Sequence, residues 1–97
     1  ATTGLYCLED TQTLRLSLDG YKTICARVPK MEHFFLEKAN GGYIASQQRI
    51  LSFQIANATS RYQWFLNRYP SLVQRISKTL LAAYLGVSRE TLSRLAK

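Results

Sequence analysis

The chain has 97 residues, of which 46% are hydrophobic and 20% charged, and carries a formal net charge of +7. That is the make-up of an ordinary globular protein with a modest core. No apolar run approaches about 18 residues and no basic leader precedes an apolar stretch, so neither a membrane span nor a signal peptide is expected, and a cytoplasmic place away from membranes follows by default.

The charge is unevenly spread. Residues 61–97 hold seven basic side chains and one acid, Glu90, whereas residues 1–60 hold six basic and five acidic ones. Such segregation is expected when one segment meets a polyanion. The two cysteines, Cys7 and Cys25, are too few for an iron-sulfur cluster, which needs about four thiolates. They can pair in principle, but in an intracellular protein they read as buried thiols.

In chain order, Leu5 to Glu9 and Thr11 to Ser17 read as short strands, the second alternating through Leu14, Leu16 and Leu18, with a turn at Asp10-Thr11. Two strands with one apolar face do not hold in water, so this piece expects more sheet. Asp19 to Arg27 reads as a short helix closed by Val28-Pro29, because the residue before a proline is pushed out of helical space.

Pro29 suits the first position of the next helix, which runs to about Ala56. Leu36, Ala39, Tyr43, Ser46, Ile50 and Phe53 form a heptad-like seam, with Ile44, Leu51 and Ile55 on a neighbouring face. Two apolar faces ask for two partners. A parallel contact with a second copy satisfies the seam; packing wholly within one subunit is the alternative. Gly41-Gly42 predicts a kink or a loosened turn, since each mid-helix Gly costs ~1 kcal/mol relative to Ala. The single histidine, His33, reads as a surface pair with Glu32. With no metal-spaced cluster, phosphate loop or nucleophile elbow, the chain is not read as an enzyme.

Asn57 to Ser60 reads as a hinge, with Asn57 or Thr59 capping a helix over Ser60 to Arg68. Tyr62, Phe65, Leu66 and Tyr69 make an apolar stripe that belongs in a core. Trp64 and Tyr69 as base-stacking platforms for single strands are the alternative. Pro70 ends that helix, and a short helical segment follows from the Ser71-Leu72 turn to Ile76.

The last twenty residues, Lys78 to Lys97, carry a helix-turn-helix pattern. Leu81, Leu85, Leu92 and Leu95 face a shared core, and Ala82 is small where the two helices approach. Gly86 sits where a tight turn leaves helical geometry, and Val87 plugs the corner. Ser77 and Ser88 stand as N-caps. Leu92 and Leu95 point inward, leaving Arg89, Glu90, Ser93 and Arg94 outward. In this motif the front of the second helix enters a major groove, where Arg bonds guanine bidentately and Glu accepts from cytosine N4. An outward Arg elsewhere is simply a solvated charge.

The run SRETLSR, from Ser88 to Arg94, resembles the recognition helix of the Crp/Fnr family, the catabolite-activator-like bacterial transcription regulators. RYQWFLNRYPSLVQRI from Arg61 to Ile76 is similar to the linking helix of shorter members, and LEDTQTLRLS from Leu8 to Ser17 to the end of the effector-domain β-roll. The resemblance implies a mainly α fold in three parts. Residues 1–28 would be the remnant of a cyclic-nucleotide-binding-like effector domain with β-strands, 29–57 the dimerisation helix, and 58–97 a helix-turn-helix domain of winged-helix type without its wing.

It further implies that Arg89, Glu90 and Arg94 read base edges while Ser77, Lys78, Thr79, Ser88 and Thr91 hold phosphates, which set register without carrying sequence information. Ser46 and Gln47 match the positions that contact a cyclic nucleotide in relatives. No cofactor is implied for this stretch itself; a cyclic nucleotide or other small effector belongs to the full-length protein. The implied partners are double-stranded DNA with half-sites like TGTGA, a second copy of the chain, and RNA polymerase. The rival from another class is a dimerising signalling module whose helix-turn-helix contacts protein instead of DNA.

Overall fold

The computed structural model describes Thr2 to Lys97 and folds there into six helices, with no strand among the described residues. They are α1 (Leu18–Arg27), α2 (Pro29–Ile55), α3 (Ala58–Arg68), α4 (Leu72–Arg75), α5 (Lys78–Leu85) and α6 (Arg89–Leu95). The chain divides into two compact units, residues 1–44 and 45–97, with the boundary inside α2.

In the first unit the two expected strands do not form, and Leu5, Leu14 and Leu16 stand exposed. Their alternation is a pattern for one face of a sheet, and among the described residues there is no further strand to complete that sheet. Helix formation begins at Ser17, whose hydroxyl accepts from the Gly20 N–H at 3.0 Å and caps α1. Val28 closes the helix in extended geometry and Pro29 opens the next, as the constraint on residues before proline requires. Tyr21 and Phe35 meet edge to face at 4.8 Å, joining α1 to α2. Both cysteines are free thiols; Cys25 is half-buried, but Cys7 is exposed on the strandless segment, not buried as its residue type suggested. His33 pairs with Glu37, one turn on, at 3.0 Å, and not with its neighbour Glu32. Side chains four apart on a helix face each other and adjacent ones do not.

Helix α2 passes through Gly41-Gly42 without interruption, so the expected loosened turn is absent. A glycine removes a side chain but keeps the N–H and C=O of the helical ladder. A Cβ at either glycine would meet nothing within 4 Å. Among the described residues no close approach therefore calls for glycine there.

The second unit holds the core. Tyr62 and Phe65 of α3, Leu81, Ala82 and Leu85 of α5, and Leu92 of α6 are buried together. Leu66 and Tyr69 complete the α3 stripe at its edge. Asn57 caps α3 by accepting from the Ser60 N–H at 2.8 Å, which settles the cap between Asn57 and Thr59. Three short helices thus pack on one apolar cluster, and Leu92, at 1% exposure, is the plug that holds α6 to it. Truncating such a leucine costs ~2 to 5 kcal/mol.

Candidate nucleic-acid interface

The geometry of the last twenty residues starts at two serine caps. Ser77 accepts from the Leu80 N–H at 3.1 Å and starts α5; Ser88 accepts from the Thr91 N–H at 3.1 Å and starts α6. Between them Gly86 adopts φ +70°, the left-handed conformation that glycine enters without steric cost. The Val87 N–H reaches back to the Ala82 carbonyl at 3.0 Å and the Gly86 N–H to that of Ala83 at 3.2 Å. This is a Schellman closure, and Val87 packs against the core as the motif's apolar contact. A three-residue turn therefore joins two helices that share Leu81, Leu85 and Leu92.

Burying Leu92 fixes what α6 shows to solvent. Arg89, Glu90 and Arg94 are exposed, while Thr91 and Ser93 are half-buried. Arg94 donates through Nη2 to Thr91 Oγ1 at 3.2 Å, and Ser88 Oγ donates to the same oxygen at 2.9 Å. The Thr91 hydroxyl thus accepts twice and aims the Arg94 guanidinium along the outer face. Glu90 lies in the first turn of α6, where a carboxylate is favoured by the helix dipole. Ser77, Lys78 and Thr79 are exposed together at the start of α5. The structure thus groups the polar side chains singled out in the helix-turn-helix at the starts and outer face of these two helices.

On α2, Leu36, Ala39, Tyr43, Ser46 and Ile50 are exposed, as is Gln47. Phe53 is placed differently. Its ring lies 4.9 Å from the Arg49 guanidinium and 5.1 Å from that of Arg61, and its edge faces Gly86. Trp64 is 47% exposed, with Tyr69 edge-on at 6.0 Å, whereas Tyr69 also packs on buried Phe65.

Sequence reading passed over Arg49 and counted Arg61 only as charge. Arg49 Nη2 donates to the Tyr84 carbonyl at 2.8 Å; Arg61 donates through Nε to the Leu85 carbonyl at 3.0 Å and through Nη1 to that of Ala56 at 2.7 Å. The Tyr84 and Leu85 carbonyls belong to the final turn of α5, where they lack helical donors and form the negative end of the helix dipole, and the Ala56 carbonyl stands one residue past the end of α2. The two arginines clamp the C-terminal turn of α2 to the first helix of the motif. The available signal was Arg49 and Phe53 at a spacing of four, with an aromatic at Tyr84 to complete the stack.

Comparison with protein-family models, curated proteins and solved structures returns no match.

Proposed function

We propose that this chain is the DNA-reading part of a sequence-specific transcription regulator of the Crp/Fnr type, acting as a homodimer on an inverted repeat. The observation that carries the reading is the Schellman turn at Gly86 with Leu92 buried behind it, which leaves Arg89, Glu90 and Arg94 on one exposed face. Arg offers guanine a bidentate donor pair and Glu offers cytosine an acceptor. An acid on a surface that meets phosphates is unfavourable unless a base donor meets it, so Glu90 favours sequence reading over phosphate binding alone. Lys78, with Ser77, Thr79, Ser88 and Thr91, supplies the flanking phosphate contacts.

The homodimer is supported by the seam on α2, where Leu36, Tyr43 and Ile50 are exposed. Two reading heads then require two half-sites, about 10 base pairs apart centre to centre. The test is fluorescence anisotropy with a duplex carrying inverted TGTGA half-sites at that spacing and with a scrambled duplex. Preference for the first, and an affinity that falls steeply between about 50 and 200 mM salt through counterion release, are expected. Equal weak binding to both duplexes without salt dependence would instead favour a module that contacts protein.

A further inference from the structure

Within the second unit, only Ala56 and Asn57 separate α2 from α3, and at two soft torsions per residue such a linker lets whatever follows it swing. Here the swing is stopped. The Ala56 N–H donates to the Ser52 carbonyl at 3.1 Å, and the Ala56 carbonyl accepts from Arg61. Arg49 then reaches from α2 itself to the Tyr84 carbonyl, 35 positions along the chain, at 2.8 Å. Its guanidinium rests on two rings, 4.9 Å from the centre of Phe53 and 4.4 Å from that of Tyr84. A cation bonded to the end of one helix and stacked on rings from both α2 and α5 fixes the angle between them.

We infer that Arg49 is a positioning residue that sets the half-site spacing this protein accepts, an inference that rests on the homodimeric, DNA-reading function proposed above. Helix geometry makes the link. Successive residues turn about 100° around an α-helix, so Arg49 stands beside Ile50 of the seam, and Phe53 returns to within about 40° of Arg49. The face of α2 that holds the helix-turn-helix therefore flanks the face proposed for a second copy. With the clamp closed, each α6 keeps one place relative to the two-fold axis, and the pair fits one separation. Adding two base pairs moves a half-site by roughly 7 Å and turns it by roughly 70°. A clamped head does not follow that change, whereas a head on a free two-residue linker does.

The test compares Arg49→Gln with the unaltered protein on inverted TGTGA repeats with centres about 10 and about 12 base pairs apart, and on a single half-site. The unaltered protein should favour the shorter spacing at least ten-fold, and Arg49→Gln should bring the two repeats within about two-fold of each other. Affinity for the single half-site should stay within about two-fold, because α6 keeps its own core. A second readout needs no DNA: the nuclear Overhauser effect between the Phe53 ring and Gly86, which are in contact, should fade in Arg49→Gln. Equal binding of both repeats by the unaltered protein, a spacing preference retained in Arg49→Gln, or an undiminished Overhauser effect would each overturn the role of Arg49. An equal loss on the single half-site would overturn it too, by placing the effect inside the head. If the unaltered protein separates neither repeat from scrambled duplex while the Overhauser effect still depends on Arg49, the DNA-reading function fails and the spacing role with it, and Arg49 is left as a structural tie.

Discussion

Replacing Gly86 by alanine tests the join between α2 and the helix-turn-helix. The new Cβ has two separable effects. A left-handed φ of +70° costs an L residue roughly 1 to 2 kcal/mol in backbone strain. The Cβ would also stand 2.6 Å from Phe53 Cε1, about 0.8 Å inside the 3.4 Å at which contact becomes ordinary. A free phenyl ring would swing aside, but this one is held between the Arg49 and Arg61 guanidiniums, whose positions are set by their carbonyls. Overpacking of that kind costs ~1 to 3 kcal/mol. The sum, about 2 to 5 kcal/mol, is a large share of a small domain's stability. Urea denaturation followed by far-ultraviolet circular dichroism should show a midpoint lowered by roughly 2 M or more, given a slope near 1 kcal/mol per molar for a small protein. In a Phe53→Ala background the clash disappears and only the backbone strain remains, so the two substitutions should be coupled by ~1 to 3 kcal/mol. Simple additivity would refute the packing of Phe53 on the turn, and a Gly86→Ala cost under ~1 kcal/mol would refute the turn itself.

Four further outcomes follow from the same structure. Gly41→Ala should raise stability by ~1 kcal/mol, seen as a higher melting temperature, because the site is helical and open; a lowered one would mean that a backbone approaches there. Arg94→Ala should cost ~1 to 3 kcal/mol on the inverted-repeat duplex and relax preference at one base pair, and equal losses on the scrambled duplex would remove Arg94 from base reading. Lys78→Ala should weaken both duplexes alike and flatten the salt slope by about one. Ile50→Asp should convert a dimer to a monomer in sedimentation velocity; if the unaltered chain already sediments as a monomer at high concentration, the seam is misassigned.

The second unit was legible in the sequence because its instructions are local. The caps of α3, α5 and α6 are each a serine or asparagine within three residues of the N–H it accepts, Gly86 is dictated by a sign of φ, and the α3 stripe repeats with helical period. Even the burial of Leu92, which decides what α6 exposes, follows from spacing alone. The strands of residues 5–17 failed for the opposite reason: alternation specifies a face but not the neighbour that completes it. The loosened turn expected at Gly41-Gly42 does not form, because propensity counts cost per residue and overlooks the long helix on either side.

The arginine clamp was illegible because its partners are backbone carbonyls, which carry no residue identity, separated by 35 and 24 positions from Arg49 and Arg61. Its consequence falls on the proposed dimer seam. Phe53 continues the heptad of Leu36, Tyr43 and Ile50, yet it is 41% exposed where they are 50% or more, because its ring packs on Gly86 and two guanidiniums of its own chain. A side chain engaged in this way has less surface to offer a second copy. The seam should therefore draw its strength from Leu36 to Ile50 and fade over the last turn of α2. At Phe53 the same heptad changes role, from the face proposed for a second copy to the anchor that sets the helix-turn-helix on its own chain.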